Sequence, residues 1–278
     1  MKRSLFLFTV LCLLSALLAG CGTRETPAEA PLTLAIGNAD VPVGDYTLKI
    51  FNYYGIEEAA IASRLTYGSN VKEVLTAVTE GTVDCGIVYQ TDACSAGLTP
   101  VDFATAEMCG QVIYPAALLK TALTSGVLHA GAAEHFLAYL RSTEASTVFS
   151  EVGFTPLSPA DFPLDVSGDS GEIVVFAAAS LKETLTKIGE DYKAVAPNVD
   201  LTFTFDSSGT LKTQIEEGAV CDLFISAAQK QMDALNDAGL IAADTRLDLL
   251  ENKVCLCVAS NSACGVGSFD DLAARLKT

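Results

Sequence analysis

The stretch from residue 172 to residue 211 constrains the fold most strongly. Residues 172–176 form a short, β-branched apolar run, and the apolar period then changes to a helical one that begins at Ser180. The pattern repeats once, because residues 199–205 alternate as a strand and a turn containing Ser208 leads into a second helical face. Two consecutive strand–turn–helix units predict an α/β domain with Ser180 and Ser208 at helix N-termini.

Helix N-termini of this kind are suited to bind anions. The first turn of a helix leaves backbone N–H groups unpaired and carries a partial positive charge, and a hydroxyl adds a further donor. For Ser180 a plain N-cap is the alternative, because Glu183 stands at the capping-box position. The residues alone leave both interpretations open.

Seven motifs of the chain resemble those of one protein family. They are AAASL (177–181), FDSSGTL (205–211), CDLFISAAQKQMDAL (221–235), GNADVPVGDY (37–46), NVKEVL (70–75), GIVYQTDA (86–93) and VIYPAALLK (112–120). Together they resemble the substrate-binding proteins of molybdate ABC importers, over nearly all of the chain after residue 31. The order differs, because the half that comes first in the family comes second here.

The resemblance implies an α/β fold with two lobes, the type II periplasmic-binding-protein fold, in circularly permuted form. It implies that molybdate or tungstate binds in the cleft through the hydroxyls and amides of Ser180 and Ser208, the amides of Val43 and Val71, and the Tyr89 hydroxyl. Neutral donors would hold the dianion, with no direct protein ligand to molybdenum. The implied protein is not an enzyme and needs no cofactor.

The three positions outside the opening stretch have local patterns that fit these roles. Val43 follows Pro42, a residue suited to the first helical position, and Val71 follows Asn70, which predicts a helix cap. Tyr89 ends the apolar run 83–89, and the carboxyl ends of strands are where open α/β sheets bind ligands. Routine helix starts and a core tyrosine are the alternatives.

The resemblance also predicts how the chain divides. Residues 32–112 together with 255–278 would form the lobe that carries Val43, Val71 and Tyr89, and residues 121–253 would form the lobe that carries Ser180 and Ser208. Residues 155–171 are rich in Pro, Gly, Ser and Asp and have no periodic apolar pattern, so we interpret them as a linker that joins the usual termini of the family.

The amino terminus has the pattern of an export signal. Lys2 and Arg3 precede an apolar run over residues 5–18, which is typical of a signal peptide spanning residues 1–20. Residues 18–21 read Leu-Ala-Gly-Cys, a lipobox, so Cys21 would be lipidated and residues 21–31 would be a tether; an ordinary cleaved signal is the alternative. We therefore expect an exported protein, anchored at the outer face of the cell membrane or periplasmic.

The net charge of the chain and the absence of a nucleotide-binding motif limit which kinds of partner the protein can have. The formal net charge is −17, and loss of Lys2 and Arg3 with the signal peptide brings it to −19. Such acidity argues against nucleic acid or anionic lipid surfaces as partners, and an oxyanion would have to be held by short-range donors. The resemblance implies a monomer that hands its ligand to a membrane permease. Because the sequence has no G-x-x-x-x-G-K-[ST] motif, we expect a separate ATPase subunit to drive that permease.

The cysteines and histidines do not predict a metal site. Nine cysteines occur, and those outside the first 21 residues lie mostly in apolar runs, as Cys255 and Cys257 do, so we interpret them as small buried residues. Cys255-Leu-Cys257 has no further partners at ligand spacing. His129 and His135 are predicted to be surface residues of one continuous helix over residues 130–148.

Two other functions stay open. A binding protein of the same fold for sulfate or phosphate would present similar donors. A serine acyl-transfer enzyme is the second, because Ser69 and Lys72 fit S-x-x-K, although the companion S-D-N and K-T-G motifs are missing from the sequence.

Overall fold

The computed structural model describes residues 31–124 and 127–278, without the side chains of residues 124–129. The predicted signal peptide, Cys21 and all but the last residue of the tether lie outside the described residues. Among the helices in this part of the chain, none is long and apolar enough to cross a membrane.

The strands form two sheets. They are β1 (Leu34–Gly37), β2 (Leu65–Gly68), β3 (Cys85–Tyr89), β4 (Asp102–Phe103), β5 (Val112–Leu118), β6 (Thr155–Pro156), β7 (Gly171–Ala178), β8 (Val199–Asp206), β9 (Leu223–Ile225), β10 (Leu247–Asn252) and β11 (Val254–Val258). The five-stranded sheet has the order β2-β1-β3-β11-β4, and the six-stranded sheet has the order β6-β10-β5-β9-β7-β8.

Helices alternate with these strands and cover the sheets. They are α1 (Pro42–Tyr54), α2 (Glu58–Ile61), α3 (Val71–Thr79), α4 (Gln90–Ser95), α5 (Ala106–Cys109), α6 (Lys120–Thr124), α7 (Val127–Tyr139), α8 (Thr143–Glu151), α9 (Lys182–Val195), α10 (Ser208–Glu216), α11 (Gln229–Asp237) and α12 (Phe269–Leu276). In the five-stranded sheet, α1 and α3 pack on β1. In the six-stranded sheet, α7 packs on both β5 and β7, α10 packs on β7, and α11 packs on β5.

Each sheet has a parallel centre. In the five-stranded sheet β1 is parallel to β2 and β3, and in the six-stranded sheet β7 is parallel to β8 and β9. The remaining pairs, including β11 with β3 and β5 with β9, are antiparallel, so the predicted parallel-rich sheets are mixed. The chain crosses from the six-stranded sheet to the five-stranded sheet at Lys253, between β10 and β11. In its sheet β11 runs antiparallel to β3.

The packing follows the apolar patterns. One core of buried residues contains side chains from both sheets, such as Ile36 and Val175. A second core, with Phe176, Phe224 and Met232, lies under α10 and α11. The six-stranded sheet therefore has covered faces on both sides, which suits strands such as β7 that are apolar without strict alternation.

The predicted helix cap at Asn70 is confirmed, and the alternative interpretation of Ser180 as a helix cap is wrong. The Asn70 side chain accepts from the Glu73 amide at 3.1 Å, and the Ser268 hydroxyl accepts from the Asp271 amide at 3.1 Å. The capping box at Ser180 and Glu183 does not form, because Ser180 lies in a 3-10 turn (Ala179–Leu181) and α9 begins only at Lys182. The hydroxyl of Ser180 instead binds a side chain of the six-stranded sheet.

The predicted continuous helix over residues 130–148 is wrong. It is two helices, α7 and α8, separated by a short break in which Ser142 caps α8 by accepting from the Ala145 amide at 3.2 Å. The Asp161 carboxylate also accepts from the Thr143 amide at 2.9 Å, which fixes the new start. A hydroxyl that competes for backbone donors favours a helix start over a helix interior.

The segment 155–171 is more structured than a free linker. Its first two residues form β6, which pairs with β10, a strand that the sequence analysis did not predict. The buried Asp169 carboxylate lies 2.7 Å from His135 Nδ1 and accepts its hydrogen bond, so His135 is a partner of this segment and not a simple surface residue. The division into two lobes at the predicted boundaries stays a prediction, although β1 to β4 and β11 share one sheet and β5 to β10 share the other.

The cysteines of the described residues are all free thiols. Cys85, Cys109, Cys221, Cys255, Cys257 and Cys264 are buried, and Cys94 is exposed. The interpretation as small buried residues is confirmed for six of these seven. Within the described part of the chain no three His, Cys, Asp or Glu residues lie together as a metal site.

Candidate functional site

A small cavity lies between the two sheets. Its lining residues are Val41, Pro42, Val71, Tyr89, Ala178, Ala179, Ser180, Asp206, Ser207, Ser208 and Ala227. They lie at or just beyond the carboxyl ends of β1, β2, β3, β7, β8 and β9, which are the six strands that run parallel within their sheets. This is the edge at which open α/β sheets bind ligands.

The structure brings four of the five predicted residues together. Ser180, Ser208, Val71 and Tyr89 line the cavity, two from the side of each sheet. Val43 is fully buried one residue beyond the lining residue Pro42, but its own atoms do not line the cavity. Their roles in binding stay predictions, and the geometry below states what each can contribute.

The N-terminus of α1 approaches the cavity because the chain turns tightly after β1. Pro42 occupies the first helical position, where its missing N–H loses no intrahelical bond. A Cβ atom at Gly44 would lie 2.2 Å from the Asn38 carbonyl oxygen, so only glycine allows the helix to start this close to the strand. In this first turn the Gly44 and Asp45 amides donate to the Val41 carbonyl oxygen, which leaves the Val43 amide without a backbone acceptor among the described residues.

On the same side, α3 and β3 supply the second and third groups. Val71 is the first residue of α3, directly after the Asn70 cap. The Tyr89 hydroxyl is buried and makes no hydrogen bond within the described residues. Burial raises the pKa of Tyr89 well above its ordinary value, so the hydroxyl keeps its proton and is a hydrogen-bond donor at neutral pH.

On the other side, Ser208 is the first residue of α10 and is fully buried. Its Oγ accepts a hydrogen bond from the Ala227 amide at 2.9 Å. Since a backbone N–H cannot accept, this contact leaves the Ser208 hydroxyl hydrogen free to point to another acceptor. Ser207 caps the same helix by accepting from the Thr210 amide at 3.1 Å.

Ser180 has a comparable arrangement, built from a side chain. Its Oγ lies 2.9 Å from the Tyr114 hydroxyl, and both residues are buried. Three serines and one tyrosine therefore line the cavity, and the Ser207 hydroxyl among them caps α10.

Charged residues stand just behind the cavity. The Lys72 ammonium lies 3.1 Å from the Asp92 carboxylate and 2.8 Å from the Glu183 carboxylate, and so bridges α3 to α9. Burial raises the pKa of Asp92 to about 6, while the Lys72 ammonium opposes that rise. Burial lowers the pKa of Lys72, but the Asp92 and Glu183 carboxylates outweigh this and raise its pKa overall.

A second ion pair joins the two sides. Lys230 on α11 binds Asp45 on α1, with the nearest atoms 3.0 Å apart. The Lys72–Glu183 pair and the Lys230–Asp45 pair each join a helix of one side to a helix of the other, so both stabilise the arrangement in which the sides are close. Exposed pairs of this kind contribute about 0 to 1 kcal/mol each.

The sequence analysis missed several lining residues. These residues lie inside the motifs that carried the family resemblance, so position within those motifs was the available signal; they are Ala178, Ala179, Asp206, Ser207 and Ala227. Asp206 differs from the others because it brings a carboxylate to the lining, with one oxygen 2.7 Å from the Ser207 amide. A second, larger groove of about 740 Å³ lies between α9 and β8 and contains none of the predicted residues.

The arrangement can hold a small anion by hydrogen bonds from both sides. The Ser208 oxygen already accepts from the Ala227 amide, and the Ser180 hydroxyl shares a hydrogen bond with the Tyr114 hydroxyl. The S-x-x-K pair does not form a nucleophile and base, because the Lys72 ammonium is engaged by two carboxylates. The geometry is that of a binding site.

Known proteins resemble the chain in sequence. The molybdate-binding protein ModA of Mycobacterium tuberculosis is 40% identical over 115 residues, which is 41% of this chain and 44% of that protein. The molybdate-binding protein ModA of Escherichia coli is 48% identical over 86 residues, 31% of this chain and 33% of that protein. The chain thus matches less than half the length of these curated relatives.

A solved structure has the same fold. The phosphate-binding protein of a phosphate ABC transporter from Streptococcus pneumoniae covers 87% of this chain and 94% of its own, with a TM-score of 0.53 and 14% identity. The two-lobe α/β fold of periplasmic binding proteins is therefore confirmed. Residues 24–155 and 173–277 match one family, and the chain belongs to that family, the bacterial extracellular solute-binding proteins, which are binding proteins and not enzymes.

Proposed function

We propose that the protein captures molybdate or tungstate in the cavity between its two sheets, as the substrate-binding protein of an ABC importer. One observation carries the proposal: Ser180 and Ser208 from one side and Tyr89 from the other line one cavity, and the Ser208 oxygen already accepts from the Ala227 amide, which leaves its hydrogen for a ligand. The relatives named for molybdate binding support the choice of ligand. A fully deprotonated tetrahedral oxyanion accepts hydrogen bonds on every oxygen, which suits donors on all sides.

Isothermal titration of the purified protein with molybdate, tungstate, sulfate and phosphate tests the proposal. We expect tight binding and a raised melting temperature with molybdate and tungstate, and weak or no effect with sulfate, whose oxygens are similar but whose size is smaller. Equal stabilisation by sulfate and molybdate would overturn the choice of ligand. Binding to none of the four would overturn the function.

Phosphate is the second candidate, and Asp206 is the observation that favours it. Phosphate keeps at least one proton near neutral pH and therefore needs an acceptor, which the Asp206 carboxylate at the cavity can supply. An Asp206→Asn variant separates the candidates, because it should abolish phosphate binding and leave molybdate binding intact or stronger. The fold shared with the pneumococcal phosphate-binding protein does not decide between them.

We further propose that the mature protein is exported, lipidated at Cys21 and held at the membrane beside a permease and its ATPase subunit. The family of extracellular solute-binding proteins supports a site of action outside the cytoplasm. Membrane fractionation in cells that lack the permease tests the anchor. The wild type should sediment with membranes and a Cys21→Ser variant should not.

The circular permutation is also our proposal. One observation supports the permutation: β1 lies near the start of the described chain and β11 near its end, yet both belong to the five-stranded sheet. The permutation is supported as well by β6 and β7, which flank the segment that would join the usual termini of the family and lie in one sheet.

A further inference from the structure

Ser180 lies at the end of a chain of buried side-chain hydrogen bonds. The chain begins at Asn252, the last residue of β10 at the crossover between the sheets. The Asn252 Nδ2 group donates to the Tyr114 hydroxyl at 3.2 Å and to the Thr91 hydroxyl at 2.9 Å. The Tyr114 hydroxyl in turn lies 2.9 Å from Ser180 Oγ.

The direction of the first bond is fixed by the backbone. The Lys253 amide donates to Asn252 Oδ1 at 2.8 Å, and an amide N–H can only donate. The oxygen of the Asn252 side chain must therefore face Lys253, and its NH₂ group must face Tyr114 and Thr91. Both hydrogens of that group are used.

The direction of the second bond follows from the first. Burial raises the pKa of Tyr114 well above its ordinary value, so its hydroxyl keeps its one hydrogen. If Ser180 donated to Tyr114, the Tyr114 hydrogen would be left in the interior without an acceptor among its hydrogen-bonded neighbours in the described residues, Asn252 and Ser180. A buried donor without an acceptor is strongly disfavoured. Tyr114 therefore donates and Ser180 accepts.

We propose that Tyr114 and Asn252 are positioning residues that make Ser180 a hydrogen-bond donor to the bound oxyanion. Because Ser180 Oγ already accepts from Tyr114, its own hydrogen is directed to the cavity. The Ser208 oxygen likewise accepts a hydrogen bond, from the Ala227 amide, so both serines would donate to the ligand. The inference rests on the proposed function and adds the residues that set the polarity of its site.

A double-mutant cycle tests it on the mature protein, titrated with molybdate and with tungstate. Tyr114→Phe removes one hydroxyl and should weaken binding about tenfold, as expected for one lost orienting hydrogen bond. In a Ser180→Ala background the same change should have no further effect, because Tyr114 acts only through Ser180. Losses that simply multiply in the double variant would overturn the proposal, and so would unchanged affinity in Tyr114→Phe.

Two further variants make the result specific. Tyr192→Phe is the matched control, since Tyr192 also has a buried hydroxyl but does not line the cavity, and its affinity should equal that of the wild type. Asn252→Leu removes the hydrogen bond to Tyr114 and replaces Tyr114→Phe in the cycle if that variant does not fold. It should also weaken molybdate binding, and in a Ser180→Ala background it should have no further effect. If the wild type binds none of the oxyanions, the proposed function fails; if it binds and the cycle shows no coupling, only this inference fails.

Discussion

Ser208 is the residue for which truncation gives the clearest change in binding. Its hydroxyl accepts from the Ala227 amide, and its hydrogen is directed elsewhere. Ser208→Ala removes a donor from a buried oxyanion and should cost about 1 to 3 kcal/mol of binding free energy. Calorimetric titration with molybdate measures this directly.

The control for that prediction is another buried serine. Ser146 on α8 has a buried hydroxyl without a partner in the described residues and does not line the cavity, so Ser146→Ala should leave the affinity unchanged. If Ser208→Ala binds molybdate as tightly as the wild type, Ser208 is not a ligand contact.

Asp92 gives the protein a pH dependence of known sign. Burial raises its pKa to about 6 from the ordinary 3.8, against the influence of Lys72. Between these values the folded state binds more protons than the unfolded state, so raising the pH through this window lowers the free energy of unfolding. The loss from this one group is on the order of 2 to 3 kcal/mol and is complete above the folded pKa.

Urea unfolding of the wild type and of Asp92→Asn at several pH values isolates this effect, because Asn mimics the protonated acid. The free energy of unfolding of the wild type minus that of the variant should fall between about pH 4 and pH 6 and then level off. A difference that stays constant or rises over this window would show that Asp92 has no raised pKa.

At the scale of elements, the contact between the start of α10 and the turn before α1 limits how closely the two sides approach. A Cβ atom at Gly209 would lie 2.1 Å from the Asp40 carbonyl oxygen on the opposite side. Gly209→Ala should therefore hold the sides apart while the helix itself tolerates alanine well. We expect at least about tenfold weaker molybdate binding in a folded protein, measured by titration, since closure supplies donors from both sides.

Gly131→Ala is the matched control for this prediction. A Cβ atom there meets nothing closer than 3.9 Å, so the variant should bind as the wild type does and be equally or more stable. Small-angle scattering of Gly209→Ala with saturating ligand adds a second measurement. A compact, wild-type profile with unchanged affinity would contradict the proposed contact.

The elements that sequence patterns predict best are those set by neighbours in the chain. The strands β7 and β8 and the cap at Asn70 follow from the local apolar period and local hydrogen-bond competition, and they appear within about two residues of the expected positions. The clustering of Ser180 and Ser208 follows from the same logic, because strand ends of one parallel group meet at one edge.

The elements that failed depend on distant contacts. A local cap was one of two interpretations of Ser180, but its hydroxyl lies 2.9 Å from that of Tyr114, 66 positions away along the chain. The bond from Asn252 to Tyr114 spans 138 positions, and no pattern in the sequence connects them. The break between α7 and α8 depends partly on Asp161, which approaches from the next segment.

At the scale of the whole molecule, the two ends of the described chain lie near each other. Arg64 Nη1 donates to the Arg275 carbonyl at 3.0 Å, and the neighbour of Arg64, Leu65, pairs with Leu34 in the sheet. The end of α12 is therefore close to the start of β1. A short linker joining them should cost little loop-closure entropy, since that cost grows only slowly with length.

The last prediction uses this proximity to reverse the proposed permutation. A rearranged chain that begins at Gly171, runs to Thr278, continues through about six Gly and Ser residues into Leu32 and ends at Pro156 keeps every strand of both sheets. It should fold and bind molybdate within about threefold of the mature protein, losing mainly the contacts of residues 157–170, such as that between Asp169 and His135. The control chain is opened inside β7, between Val175 and Phe176, where a break removes a central buried strand, and it should not fold. Circular dichroism and titration compare the two. If the rearranged chain fails to fold while the present order folds, the segment 157–170 is a structural part of this protein and not a join between former termini.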